Sequence, residues 1–167
     1  INVKVNSTPS LSISFVTDQP TQLSKRDKNT TISIKNDGNV ILPNINISYD
    51  KSTLKDRVGR EVILTFIDKK SNIVVTPFTL LPGESKDILV TSNIPSNLNL
   101  GDYKTTLKAS TTTGTTTGTT FLERSTDLTV KNGLCDFGRV GSEIEIVRIE
   151  DISSEDEFDW KPGDNVE

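Results

Sequence analysis

The sequence predicts an all-β protein, an antiparallel β-sandwich with a C-terminal extension, and three observations support this prediction. Ile, Val and Leu supply most of the hydrophobic residues, which make up 32% of the chain, and Thr supplies much of the polar remainder. β-Branched side chains of this kind favour strands over helices. Apolar and polar residues alternate with a period of two almost throughout, and no segment has the 3.6-residue apolar period of a helix.

The alternating runs follow one another along the chain, and turn residues close them. Residues 11–16 form the first run, which ends at the Asp-Gln-Pro of residues 18–20. Residues 31–35 form the second, which ends at the Asn-Asp-Gly-Asn of residues 36–39, residue types that tolerate positive φ. Residues 81–84, Leu-Pro-Gly-Glu, form another predicted turn. The remaining runs are residues 45–49, 61–67, 73–75, 87–91, 103–109 and 121–130. This gives about seven or eight short strands at the spacing typical of sandwiches.

The sequence offers few catalytic groups. It contains no His, which excludes Ser-His-Asp and Cys-His nucleophile systems and His-rich zinc sites within this chain. The single Cys135 forms neither a Cys-rich metal cluster nor an internal disulfide. Gly114 and Gly118 lie in a Thr run that lacks the Lys of a phosphate-binding loop. We therefore expect no enzyme, no metal site and no cofactor, although carboxylate-only catalysis, as in glycosidases, needs no His and stays open.

Charge divides the chain into two parts. Residues 1–133 carry 16 basic and 12 acidic side chains, a balance of +4, whereas residues 134–167 carry 3 basic and 11 acidic side chains, a balance of −8. We expect one sandwich domain over residues 1–133. Residues 134–167 are expected to be an acidic linker, a strand extension or the start of a second module.

The composition also bears on partners and location. With few aromatics and no basic cluster, the body is a poor nucleic-acid binder. No apolar run approaches the roughly 20 residues needed to span a bilayer. The absence of Met predicts a processed product or an excised fragment, from which an export signal has been removed. We therefore expect an extracellular or cell-surface location.

Residues 80–109 carry a family resemblance. They read Leu-Leu-Pro-Gly-Glu-Ser, then Ile-Leu-Val, Asn-Ile-Pro and Leu-Gly-Asp-Tyr-Lys-Thr-Thr-Leu-Lys-Ala. This resembles the immunoglobulin-like modules of prokaryotic, above all archaeal, surface proteins, including S-layer-associated, CARDB-like and NEW3-type domains. The Thr-Ile-Ser-Ile-Lys-Asn-Asp-Gly-Asn-Val that starts at Thr31 resembles their second strand. The resemblance spans roughly residues 10–130 and implies an immunoglobulin-like sandwich that serves as a spacer, stalk or adhesive unit.

Residues 143–167 look like the opening of another such module. Glu-Ile-Glu-Ile-Val-Arg-Ile is followed by an acidic spacer and then by Phe-Asp-Trp-Lys-Pro-Gly-Asp-Asn-Val-Glu. Either the chain is cut from a longer protein, or this tail completes a sheet elsewhere. Ile144 and Ile146 alternate with polar residues, so the tail can pair as a strand with the free edge of a neighbouring sandwich.

The tail contains most of the predicted interaction residues. Large buried side chains dominate interface energies, and the candidates are Ile144, Ile146, Phe158 and Trp160. The acidic run between Glu150 and Asp159 is predicted to be a solvated linker, with Ca²⁺ binding between modules as the alternative. Cys135 is predicted to be unpaired within the chain and available for a bridge to another chain.

The body contains further candidate sites. Asn-x-Ser/Thr acceptors predict N-glycosylation of an exported chain at Asn6, Asn29 and Asn46. The Thr-rich residues 110–120 predict a flexible loop or an extended β-hairpin tip, with O-glycosylation or contact with a neighbour as its function. Tyr103 fits a tyrosine corner, in which the ring enters the core and the hydroxyl bonds the backbone, and a half-buried strand Tyr is the alternative.

These observations predict a non-catalytic structural or adhesive module of an extracellular assembly such as a surface layer, stalk or filament. Its expected partners are other protein modules or copies of itself, with glycans as a further candidate. The alternative is an accessory carbohydrate-binding module of a secreted enzyme. Sugar-binding sandwiches usually present aromatic platforms, and the body offers Tyr49, Tyr103 and scattered Phe but no Trp.

Overall fold

The computed structural model describes residues 6–115 and 118–133, which form nine strands and a single 3₁₀ turn. The strands are β1 (Leu11–Phe15), β2 (Gln22–Ser24), β3 (Asn29–Asn36), β4 (Leu42–Tyr49), β5 (Ile63–Asp68), β6 (Phe78–Leu80), β7 (Ser85–Asn93), β8 (Gly101–Thr115) and β9 (Gly118–Asn132). The 3₁₀ turn covers Lys51–Leu54, after β4. The described residues are therefore almost entirely β, as the alternation predicts.

The strands form two sheets that enclose one core. One sheet has the order β1-β3-β7-β5 and the other the order β2-β9-β8-β4-β6. The first two strands belong to different sheets: β1 pairs with β3 in the four-stranded sheet, and β2 pairs with β9 in the five-stranded sheet. This is the arrangement of an immunoglobulin-like sandwich. The predicted fold class is confirmed, with one difference: among the described strand pairs β2–β9 is parallel and the others are antiparallel.

The strand prediction is wrong at one place and incomplete at two. Residues 73–75 form no strand, and Val74 makes only an isolated bridge with Ile67. The alternation does not reveal β2 and β6, because a three-residue strand has too few positions to show a period.

The core between the sheets is aliphatic. Along β3, for example, Ile32 and Ile34 are fully buried while Lys35 is exposed, as expected for a strand with one face inward. Each large apolar side chain that is removed from water stabilises the fold by roughly 1.5–3 kcal/mol. The other fully buried apolar side chains include Leu23, Leu42, Ile45, Leu54, Ile88, Val90, Leu107, Leu128 and Val130.

Threonine hydroxyls replace part of the backbone ladder between β4 and β8. The two strands pair regularly only from Asn46 to Tyr49. Nearer the start of β4 the chain contains Pro43, which has no N–H, and Asn44, whose φ is 49°. There the buried Thr111 hydroxyl donates to the Pro43 carbonyl, and the Thr113 hydroxyl donates to the Ile41 carbonyl at 2.7 Å. The Thr-rich run is thus part of an extended β-hairpin, one of the two predicted forms. Its buried Thr111 and Thr113 are structural requirements, because their hydroxyls bond carbonyls of the neighbouring segment.

The glycine of the turn at residues 36–39 has a different role from the predicted one. Gly38 is not among the described residues with positive φ. A Cβ at this position would instead meet backbone, the Thr8 carbonyl oxygen and the Ser10 nitrogen at 2.6 Å. Glycine is therefore needed for close approach of two chain segments. In the turn at residues 81–84, by contrast, Gly83 has a φ of 77°, as that prediction requires.

The described chain crosses the sandwich from end to end. We call upper the end that contains the β8–β9 tip, where Asn39 and Thr8 exchange backbone and side-chain hydrogen bonds of 3.1 and 2.6 Å. We call lower the opposite end, where Asn132 lies opposite Gly101 and the loops of residues 25–28, 50–62 and 94–100 meet. Residue 6 therefore lies at the upper end and Gly133 at the lower end.

The close approach at Gly38 yields a stability prediction. Gly38→Ala should lower the free energy of unfolding by about 1–3 kcal/mol, because the new methyl group must displace backbone in a packed site. Gly114→Ala is the matched control, since nothing lies within 4 Å of a Cβ at Gly114. Urea unfolding of both variants measures the difference. Equal stability of the two variants would contradict the packing role of Gly38.

Candidate functional site

The lower end is held together by a tyrosine corner. Tyr103, at the start of β8, is 9% exposed, and its hydroxyl donates to the Asn99 carbonyl at 2.8 Å. Burial raises the pKa of this hydroxyl and the charge of Asp56 adds to the effect, so that it remains a donor. The predicted corner is confirmed, and it holds the 94–100 loop against the last strands.

Asp56 holds the same loop from the other side. Its side chain is 1% exposed and forms an ion pair with the Arg60 Nε at 2.6 Å. Arg60 in turn donates from Nη2 to the Asn99 Oδ1 at 2.5 Å, and the Asn99 N–H donates to Asp56 at 3.3 Å. Burial works to raise the pKa of Asp56, but hydrogen bonds from Arg60, Asn99 and Val58 outweigh it, so the pKa is lowered. The ionised carboxylate therefore organises the lower end.

Two buried asparagines close the two ends of the sandwich. At the upper end Asn36 donates to the carbonyls of Val40 and Leu80 at 2.8 and 3.1 Å, and its Oδ1 accepts from the Gly38 N–H. At the lower end Asn132, 1% exposed, donates to the Leu98 and Asn99 carbonyls at 2.8 and 2.9 Å. The Asn132 Oδ1, however, is buried without a hydrogen-bond donor among the described residues.

We call the contacts of Asn99 with Tyr103, Asp56, Arg60 and Asn132 the lower-end clamp. A basic crevice opens beside it. We call it the end crevice; its volume is about 270 Å³, and it lies between the 25–28 loop and the end of β7. The Ser24 side chain accepts from the Asp27 N–H at 2.9 Å, which shapes the loop, and the Lys28 carbonyl accepts from the Ser92 N–H at 2.8 Å. Its lining residues are Lys25, Lys28, Ser92, Asn93, Ile94 and Ser96. Lys25 and Lys28 were not predicted as site residues: they lie in a short segment that also contains Asp27, and the rest of the crevice comes from residues more than 60 positions further along the chain.

A larger crevice lies on the side of the sandwich. We call it the lateral crevice; it lies between β5, β6 and β7 and has a volume of about 510 Å³. In its floor the Lys86 Nζ bonds Asp68 at 2.5 Å and lies 5.0 Å from the centre of the Phe78 ring. The hydrogen bond from Lys86, with further bonds from the Lys70 and Ser71 N–H groups, lowers the pKa of Asp68 to about 2. Its charged lining residues are Asp68, Lys69, Lys70, Glu84, Lys86 and Asp87.

The predicted glycosylation acceptors are exposed and lie far apart on the surface. Asn6 lies at the upper end, where its carbonyl accepts from the Asn39 side chain at 2.8 Å. Asn29 begins β3 at the lower end, and Asn46 lies on the outer face of β4. Exposure is what a glycan requires, and glycosylation stays a prediction.

The other predicted site residues belong to the tail. Cys135, Ile144, Ile146, Phe158 and Trp160 lie outside the described residues, as does the acidic run. Within residues 6–115 and 118–133, no group of three or more acidic or Cys side chains is arranged to hold a metal ion. No helix in this part of the chain is long and apolar enough to cross a membrane.

Several solved structures, including the following three, resemble parts of this chain. The periplasmic chaperone SfaE matches 74% of this chain and 57% of its own length, with 5% identity and a TM-score of 0.44. A family 123 glycoside hydrolase from Clostridium perfringens matches 75% of this chain and 27% of its own, with 12% identity and a TM-score of 0.47. AggA, the major subunit of aggregative adherence fimbriae type I from Escherichia coli, matches 79% of this chain and 99% of its own, with 9% identity and a TM-score of 0.42.

These likenesses are weak, and the chain spans little more than half of SfaE and about a quarter of the hydrolase. With every TM-score below 0.5, none of them carries a functional argument. No family model matches the sequence, and a search of the curated proteins finds no match.

The tyrosine corner can be tested by removing one oxygen. Tyr103→Phe should lower the free energy of unfolding by about 1 kcal/mol, the usual net contribution of one intramolecular hydrogen bond. The loss should stay moderate, because the Asn99 carbonyl keeps its bond from Asn132. Denaturant unfolding measures it, and unchanged stability would contradict the role given to the hydroxyl.

The Asp68–Lys86 pair predicts an acid dependence. Because the folded pKa of about 2 lies below the ordinary 3.8, the ionised Asp68 stabilises the fold above pH 3.8, and this contribution is lost as the pH falls from 3.8 towards 2. In Asp68→Asn the melting temperature should be lower at neutral pH and should fall less over that range than in the parent. Asp87→Asn, in the same crevice, should keep the parent's acid dependence. Identical profiles for the two variants would argue against the pair.

Proposed function

We propose that this chain is a non-catalytic structural module of an extracellular or cell-surface assembly, such as a surface layer, stalk or filament. The observation that carries this proposal is the path of the chain, which has residue 6 at the upper end and Gly133 at the lower end. A module crossed in this way extends an assembly by its own length when it is linked in series. Modules with both connections at one end would instead hang from the assembly as side branches.

The outer face of the five-stranded sheet supports a spacer rather than an adhesive face. Its cross-strand pairs are polar, with Lys108 Nζ and Glu123 at 3.2 Å and the Thr106 hydroxyl and Asp127 at 2.9 Å. Exposed pairs of this kind add little stability but keep a sheet face soluble. This face is suited to contact with water along the length of a stalk.

The lateral crevice supports the non-catalytic part of the proposal. A carboxylate-based hydrolase needs a carboxylic acid whose pKa is raised, so that it can protonate the leaving group. In this crevice Asp68 is ion-paired with Lys86 and its pKa is lowered, and Glu84 accepts from the Leu81 N–H at 2.8 Å. Two of the three carboxylates of the crevice, Asp68 and Glu84, therefore have structural partners.

The carbohydrate-binding alternative has less support. Phe121, 64% exposed, is the one aromatic side chain of the described residues that is more than half exposed. A sugar-binding platform usually combines several aromatic faces with polar groups. Retention of the chain on a polysaccharide column would favour this alternative.

We further propose that residues 134–167 connect the module to its neighbour. Strand addition, the predicted mode, requires a free strand edge, and the edge of β9 that faces away from β8 has no partner strand in the described residues from Gly118 to Leu128. The edges of β1 and β5 are further candidate acceptors, since each ends its sheet.

Deleting residues 134–167 tests this function. The truncated chain should keep its melting temperature, because the sandwich core lies within the described residues, and it should lose the ability to assemble. Light scattering after size exclusion gives the mass of the native particle and of both chains. The proposal is wrong if the truncated chain no longer folds as a monomer while the intact chain never associates.

A further inference from the structure

The end crevice differs from the lateral crevice in its charge. The lateral crevice combines three lysines with three carboxylates, Asp68, Glu84 and Asp87, and its Lys86 is already paired. The end crevice is lined by Lys25 and Lys28 and by no carboxylate. Neither lysine forms an ion pair with an acidic side chain of the described residues. Of the two crevices, the end crevice is therefore the one at which an anionic group would gain more.

The same end of the sandwich is polar but incomplete within the described residues. Asn36, at the upper end, has partners for both its amide nitrogen and its oxygen. Asn132, its counterpart, holds the 94–100 loop that also lines the end crevice, yet its buried Oδ1 has no donor there. A buried acceptor of this kind normally has a partner. A water molecule or an N–H group from outside the described residues can supply this donor.

We propose that the acidic segment of residues 150–159 docks in the end crevice of its own module. The segment carries six acidic side chains and no basic one: Glu150, Asp151, Glu155, Asp156, Glu157 and Asp159. Its carboxylates pair with Lys25 and Lys28, and it also carries the apolar residues Ile152 and Phe158.

The length of the connection favours docking within one chain. Residue 150 follows Gly133 by 17 residues. A chain of that length spans at most about 56–61 Å when fully extended, enough to return to the crevice beside its own exit point. Because the segment is joined to its own module, its effective concentration there is far above that of a neighbouring chain in dilute solution. The docked segment fixes the direction in which the chain leaves the lower end.

The only Trp of the protein makes this testable in the intact chain. Trp160 directly follows the acidic segment, so its fluorescence reports on the tail alone. At low salt the docked tail should shield Trp160 from acrylamide quenching. Raising the salt from about 0.01 to about 1 M shortens the Debye length from roughly 30 to 3 Å and should release the tail, increasing the quenching constant about twofold or more. Quenching that does not change with salt overturns the proposal.

Two charge-reversal variants separate docking in the end crevice from general charge attraction. Lys25→Glu/Lys28→Glu should show the high, released quenching at low salt. Lys69→Glu/Lys70→Glu reverses the same number of lysines at the lateral crevice and should behave as the parent. Circular dichroism confirms that both variants are folded. Parent-like quenching in the first variant, or equal release in both, overturns the proposal.

The dependence on protein concentration decides between one chain and two. Docking within the chain predicts shielding that is constant over a hundredfold dilution, and shielding that disappears on dilution overturns it in favour of docking on a second copy. This inference does not depend on the structural role proposed above, because assembly is measured by particle mass and docking by Trp160. Either can fail while the other holds.

Discussion

The fifteen-residue register between β8 and β9 is the constraint on which the rest of the structure depends. It runs from Gly101 opposite Asn132 to Thr115 opposite Gly118 and so sets the length of the sandwich. Because β8 lies inside its sheet, its other edge must also be satisfied, and β4 does this with four regular pairs. Beyond them the ladder fails at Pro43 and Asn44, and Thr hydroxyls take over. The need for Thr at positions 111 and 113 of this hairpin is thus a consequence of its neighbour's irregular backbone.

The same register positions the lower-end clamp. Tyr103 lies near the start of β8 and Asn132 at the end of β9, and the antiparallel pairing of these strands brings the two residues together. Both side chains donate to the Asn99 carbonyl. Asp56 and Arg60 reach Asn99 from a third segment. Three parts of the chain therefore converge on one loop, and the surface beside that loop carries Lys25 and Lys28. The basic surface and the exit point of the chain are neighbours because β2 pairs with the end of β9, which places Ser24 opposite Lys131 just before the 25–28 loop.

The sequence predicted those features that repeat locally. Alternation located the long strands, and Tyr103 after Gly-Asp indicated the corner because its spacing to the turn is short. Three-residue strands such as β2 remained hidden, since they carry no period. The partners of Asn99 and Asn132, and the meeting of Lys28 with Ser92, depend on the folded arrangement of distant segments, which no local pattern encodes. For Gly38 the residue type indicated a turn correctly, but close approach rather than positive φ explains it.

The end-to-end path of the chain also determines how the sandwich would respond to mechanical load. A force that pulls residue 6 upwards and Gly133 downwards acts along the axes of β1 and β9, because both strands run from the upper to the lower end. Adjacent strands are then pushed past each other in shear, and all the hydrogen bonds of a pair are strained together rather than opened one at a time. The parallel β2–β9 pair lies in this path as well, with its slanted bonds on the last residues of β9 before the chain leaves. The sandwich is therefore oriented to carry tension along its length with its two terminal strands as the loaded elements.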